Sequence, residues 1–278
     1  MKTKTLLTLI LATMAISNAM AQRGIVKQDR NVASFAAITV TGGWDLIIQQ
    51  GERQSVTIEV SEEDLDRTIV EVRNGTLHIS SKSQNRIFSV FNSEDVTRRA
   101  YVTVTDLKKI TASGGVDIDF NTPLHTDDFE VVLSGGTDLE DLTLHCSNFK
   151  GSFSGGCDTE IRFGSVESAR VNVSGGCDVK LYGISTSSLK VDASGGCEVE
   201  LKGKTDDLIL SASGGCDVSA SNLAARHADV NFSGAAGGSI RVSHRLDATV
   251  SGAAELVCYG NPQEVSERVD RSSSLKFR

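Results

Sequence analysis

The chain has 278 residues, 28 basic and 36 acidic side chains, 26 glycines, six cysteines and two prolines. It is long enough for one large domain or two small ones. Its acidic balance argues against a polyanionic partner, nucleic acid or bare anionic lipid included, and glycine enrichment without proline points to a repeated tight corner more than to disorder.

In chain order, Lys2 and Lys4 precede an apolar run from Leu6 to Ile16, and Ala19-Met20-Ala21 offers small residues where a signal peptidase reads. Residues 1–21 are therefore expected to be a cleaved export signal: the apolar run is too short to span a bilayer, and no second one follows. No Cys follows the cleavage site, so no lipoprotein is expected. Losing Lys2 and Lys4 leaves 26 basic residues against 36 acidic ones, a net charge of −10. Residues 22–48 read as the first strands and first coil, with the corner Thr41-Gly42-Gly43-Trp44-Asp45. Residues 49–105 read as an antiparallel excursion packed on the N-terminal end: 55–60 alternate, and 69–72 pair with 77–79 across Asn74-Gly75, a strong hairpin signal. The polar, poorly patterned residues 81–99 are expected to form a mobile loop.

From there the chain repeats itself. Ser-Gly-Gly-x-acid or a near variant starts at Ser113, Ser134, Ser154, Ser174, Ser194 and Ser213, and decays to Ser-Gly-Ala-Ala at Ser233 and Ser251. After the glycines, Cys177, Val179 and Leu181 share one face; before the next pair, Leu189, Val191 and Ala193 do the same. One such unit cannot bury its apolar side alone, but units stacked about 4.8 Å apart form a continuous core. The fold class expected is all-β, a parallel β-helix or solenoid with coils of about 20 residues spanning 106–260. Residues 261–278 read as a C-terminal cap strand in which Leu275 and Phe277 alternate.

The corners are Gly155-Gly156-Cys157, Gly175-Gly176-Cys177, Gly195-Gly196-Cys197 and Gly214-Gly215-Cys216. The glycines supply the backbone conformations of a sharp bend, and the flanking acids oppose a phosphate nest. The cysteines share the inward parity of Val179, where a thiol behaves as a small hydrophobe. Disulfides and metal ligation remain alternatives, although parallel Cβ vectors in a ladder sit farther apart than a bridge wants. Cys146 and Cys258 fall outside this series. An outward column holds Asp45, Asp117, Asp138, Asp158, Asp178, Glu198, Asp217 and Glu255, whose neighbours repel by roughly 0.9 kcal/mol in water at about 4.8 Å. Asx-type backbone hydrogen bonds would compensate, or calcium shared between coils, with Asp138, Asp158, Asp178, Glu198 and Asp217 as the candidate ligands. The five histidines, at 78, 125, 145, 227 and 244, show no metal-ligand spacing. No catalytic or cofactor-binding residue stands out. A carbohydrate-active β-helix enzyme would need carboxylates in divergent environments and aromatic platforms, and here the acids repeat and Trp44 takes an inward position.

The succession "FAAITVTGGWDLIIQQGERQSVTIEV", "NGTLHIS", "YVTVTDLKKITASGGVDIDF", the Ser-Gly-Gly units and "YGNP" resembles the head GIN domain family, also called putative auto-transporter adhesins, over Val32 to Leu275. The resemblance implies a β-helix-like protein exported from bacteria, especially Bacteroidetes, with no catalytic residues to carry over. The sequence departs from the family in its regular corner cysteines and in lacking a visible translocator barrel. The expected function is a non-enzymatic envelope interaction or adhesion surface in the periplasm, on the outer membrane or outside the cell. Its expected partner is an envelope or host-surface protein or glycan. A carbohydrate-active enzyme and a divalent-cation module are the alternatives.

Overall fold

The computed structural model describes residues 24–82 and 97–278. The expected export signal and most of the 81–99 segment lie outside the described residues. The fold is all-β, a solenoid of about eight turns with antiparallel strands mixed in near the N-terminus. In chain order the first elements are β1 (Ile25–Asp29), β2 (Ala37–Thr41), β3 (Trp44–Gln50), β4 (Ser55–Ser61), the single helical turn α1 (Glu62–Leu65), β5 (Thr68–Arg73), β6 (Thr76–Ser81) and β7 (Arg98–Val104). The array follows as β8 (Lys109–Ser113), β9 (Val116–Phe120), β10 (Leu124–His125), β11 (Asp128–Gly135), β12 (Thr137–Gly155), β13 (Asp158–Gly175), β14 (Asp178–Gly195), β15 (Glu198–Gly214), β16 (Asp217–Phe232) and β17 (Gly237–Val250). The last strands are β18 (Glu255–Tyr259), β19 (Glu264–Val269) and β20 (Ser274–Phe277).

Every neighbouring pair in the array is parallel, and apart from bulges in the connections, such as those between Leu181 and Ile184 and between Ala220 and Ala224, each side chain stands above its counterpart one period earlier. Val171 pairs with Val191 and Val191 with Leu210; Leu181 pairs with Ile161 and Leu201. The inward positions of both main strands are almost fully excluded from water. A third inward column runs through the connection that the pattern suggested was only a loose turn. There Cys146 stacks with Val166, and Thr186, Thr205, Ala225 and Val242 stack in turn. The two threonines of this column are both paired, Thr186 Oγ1 donating to Thr205 Oγ1 at 3.0 Å and Thr205 Oγ1 to Asp207 O at 3.1 Å.

The N-terminal part departs from a simple excursion. Antiparallel pairing joins β1 to β4, β4 to β7 and β5 to β6. The β5–β6 hairpin turns at Asn74-Gly75, whose φ values of 51° and 74° are those of a two-residue primed turn. Yet β6 also runs parallel to β2, and β7 parallel to β3, so these strands add a rung to the stack. The first Gly-Gly coil is consequently enclosed: Leu46 lies between Ala100 and Ile118, and Ile38 between Leu77 and Ile110. The alternation of Leu77 with Ile79 and of Ala100 with Val102 matches the inward parity of β2 and β3, which is why they stack. At this end Asp64, 6% exposed, receives Arg98 Nη2 at 3.0 Å and Arg67 Nη1 at 3.4 Å, tying α1 to the start of β7.

At the other end, β19 pairs with β17 and β20 with β18, making one more parallel coil where a single cap strand was expected. Its inward positions meet water on their free side: Val265, Val269 and Phe277 are 47%, 40% and 45% exposed. Glu267 occupies an inward position above Ala248. A charge there blunts a free strand edge against further pairing.

Candidate binding surface

The corner glycines differ in what they do. Gly155, Gly175, Gly195 and Gly214 have φ of 93°, 89°, 100° and 79°, a region L side chains rarely enter. Each packs against the equivalent glycine of the coil before; a Cβ on Gly175 would lie 2.7 Å from Gly155 O. Gly156 and Gly196 have open space where a Cβ would go, while Gly176 and Gly215 meet nothing nearer than 3.8 Å. In the last corners that second position is already Ala235 and Ala253. In these four corners one glycine of the pair is therefore structural, whereas both members of Gly42-Gly43 and Gly114-Gly115 have positive φ.

Behind the corners runs the column Trp44, Val116, Thr137, Cys157, Cys177, Cys197, Cys216, Ala236 and Ala254, all buried. Cys146 and Cys258 are buried in the other inward columns. The Cys157 thiol donates to Ser154 O at 3.2 Å and the Cys177 thiol to Ser174 O at 3.3 Å. Cys197 instead places its Sγ 2.6 Å from Cys216 Sγ. Burial pushes the Cys157 thiol up to about 11, and burial with the neighbouring Cys216 pushes Cys197 to about 12.

Outside, the acids line up. Asp45, Asp117, Asp138, Asp158, Asp178, Glu198 and Asp217 stand in register on successive rungs, until Gly237 interrupts the column before Glu255. Compensation is local and uneven. Arg99 closes the column below Asp45 at 3.1 Å, Lys180 reaches Asp178 at 3.0 Å, and the Asp158 amide donates across coils to Asp138 Oδ1 at 3.3 Å. Asp117 has no such help: burial first, then the charges of Asp138, Asp45 and Asp119, hold its carboxyl above the ordinary value. Among the described residues no group of three or more His, Cys, Asp or Glu side chains converges as a metal cage.

A carboxyl whose pKa is raised on folding favours the fold while protonated. That contribution is complete below the unfolded value, near about 3.9, and is lost as pH rises through the higher folded value. Ionised Asp117 thus works against the fold at neutral pH, to an extent limited by solvent screening. Asp117→Asn is expected to raise the thermal midpoint at pH 7 by about 1–3 °C, an advantage that fades towards pH 3, as followed by circular dichroism.

On the third side the structure unites residues the sequence left apart. His125 and His145, 20 positions apart, stack with ring centroids 4.4 Å apart and planes 8° from parallel. His145 Nδ1 lies 3.0 Å from Ser165 Oγ, and its ring lies over Gly164, where any Cβ would collide with it. Burial, then the charge of His125, lowers the His145 pKa below its ordinary value. Together with Ser165, Glu167, Ser185 and Ser187 these rings line an open cleft of about 830 Å³. The sequence signal was the 20-residue spacing, which equals the repeat and differs from any metal-ligand spacing. Farther along, His227 and His244 also meet, edge to face at 5.3 Å.

The chain is thus a parallel β-solenoid with repeated polar faces and an open hydroxyl- and imidazole-lined cleft. A sequence profile of the putative auto-transporter adhesin, head GIN domain, matches residues 34–201 and 177–262, and the chain belongs to that family. No curated protein matches it in sequence. Three solved structures share its fold at low identity. A putative adhesin from Parabacteroides distasonis is 16% identical with a TM-score of 0.65, over 92% of this chain and 98% of that one. A putative adhesin from Parabacteroides merdae is 14% identical with a TM-score of 0.61, over 92% and 97%. A putative lipid binding protein from Parabacteroides distasonis is 20% identical with a TM-score of 0.60, over 92% and 98%.

Proposed function

We propose that the protein is an exported, non-enzymatic adhesin-type module of the bacterial envelope that holds an extended, hydroxyl-rich partner, a surface glycan, in the cleft beside His125 and His145. The observation that carries this reading is the cleft's lining: four successive coils each present two polar side chains, His125 and Asp127, His145 and Ser147, Ser165 and Glu167, Ser185 and Ser187, so an extended polar chain meets donors and acceptors at each step. Family membership supports adhesion as the role. A polar partner fits better than a lipid, because the exposed large apolar side chains among the described residues are Ile209 and three in the terminal coil, away from the cleft. The same repetition argues against catalysis, which needs an acid and a base in contrasting environments.

The test is binding of the purified full chain to immobilised envelope and host glycans. Ser165→Ala combined with Ser185→Ala is expected to weaken capture about tenfold, the effect of removing one or two hydrogen bonds. Asp158→Asn with Asp178→Asn, on another face, is expected to leave capture unchanged, and bound glycans are recovered uncleaved. Capture lost only with the acid-column variant would transfer the site to that face.

A further inference from the structure

Of the four cysteines in the corner column, two behave differently from the others. Cys157 and Cys177 each turn the thiol towards a serine carbonyl of their own corner. Cys197 turns its sulfur towards the next coil and comes within 2.6 Å of Cys216 Sγ. That is well inside the roughly 3.5–4.0 Å at which non-bonded heavy atoms rest, and it approaches the roughly 2.05 Å of a sulfur–sulfur bond. The backbone rungs here are spaced like their neighbours, Asp217 donating to Cys197 O at 2.9 Å as Glu198 does to Cys177 O, so the close approach belongs to the two side chains. Neighbouring rungs of a sheet are about 4.7–4.9 Å apart, within the range of roughly 4.4–6.8 Å that disulfide Cα atoms span. With the two sulfurs already 2.6 Å apart, the parallel Cβ vectors of the ladder do not prevent a bridge at this corner.

We propose that Cys197 and Cys216 form a disulfide that staples two successive coils, while Cys157 and Cys177 remain thiols. The oxidant is a small-molecule disulfide or an equivalent thiol-exchange partner. The Cys216 thiolate attacks one of its sulfurs and releases a first small thiolate; the Cys197 thiolate then attacks the Cys216 sulfur of the mixed disulfide and releases a second. One sulfur–sulfur bond is lost and one gained, the two electrons reduce the oxidant, and the two cysteine protons pass to the released thiolates. Thiolates are the reactive species and burial disfavours them, so exchange takes place while the corner is open during folding. Once the coil closes, the same burial shields the bond from reductants.

The experiment unfolds the full chain, refolds it with oxidised glutathione, alkylates free thiols under denaturing conditions and maps the peptides. Two of the six cysteines are expected to resist alkylation until reduced, and the linked peptides contain Cys197 and Cys216. Protein unfolded, reduced and refolded with reductant present is expected to melt about 5–10 °C below the oxidised protein, from the loop-closure effect of a short cross-link. Cys157→Ser with Cys177→Ser retains this difference, and Cys197→Ser with Cys216→Ser loses it. Alkylation of all six cysteines after oxidative refolding, or a bridge joining any other pair, overturns the proposal. The peptide map needs no variant, so it decides the question even if a substituted chain fails to fold.

Discussion

Gly195→Ala is expected to lower the thermal midpoint by about 6–12 °C, whereas the neighbouring Gly196→Ala leaves it within about 1 °C. Two costs fall on the first site: its φ of 100° lies where a Cβ is strained, and the new methyl would sit 2.8 Å from Gly175 O. Backbone cannot retreat there, because the Gly196 amide already donates to Gly175 O at 2.9 Å and holds the two coils together. Strain and steric displacement together are worth about 3 kcal/mol. At Gly196 the Cβ meets open space. Thermal unfolding of the two variants side by side measures the contrast, and equal losses at both positions would refute the assignment of the bend to one glycine.

The second large effect is at Trp44, the N-terminal end of the column behind the corners. Trp44→Ala is expected to cost about 3–5 kcal/mol, because a fully buried indole is removed from a rung enclosed on both sides, leaving a cavity that the flanking strands cannot collapse. Trp44→Phe is expected to cost less than half as much. Trp44 Nε1 is buried without a hydrogen-bond partner, so losing that group removes a desolvation penalty that partly offsets the smaller ring. Urea unfolding followed by circular dichroism compares all three proteins; a Phe variant as unstable as the Ala variant would mean that the indole N–H contributes favourably.

The parts of the fold that could be read from sequence are those where one residue pattern recurs with a glycine marker. Ser174 to Ser194 and their neighbours revealed the period, and alternation around Cys177 and Leu189 revealed which side chains turn inward. The rung made by β6 and β7 escaped because the chain between them carries no Gly-Gly corner. Its apolar alternation, Leu77 with Ile79 and Ala100 with Val102, suits an antiparallel strand equally well. The inward column through Thr186 and Thr205 was hidden because isolated polar residues in a connection look like surface until the facing coil supplies a partner. β19 was missed for the converse reason, since Glu264, Glu267 and Arg268 break the alternation of Val265 and Val269. The cleft was invisible to a search for catalytic or metal spacing. His125 and His145 are neighbours only because the structure repeats every 20 residues.

The enclosure of the first coil makes the two ends of the molecule unequal under insertion and deletion. Gain or loss of one whole unit within the array, such as 158–177, would shift the terminal coil by one rung, about 4.8 Å, and leave each remaining coil with neighbours of the same kind. No comparable change is open to β2 and β3, whose edges are both taken by strands that arrive later in the chain. Chain length is thus adjustable in whole coils on one side of residue 109 and constrained on the other. Duplication can lengthen the repeated faces while their N-terminal foundation stays the same.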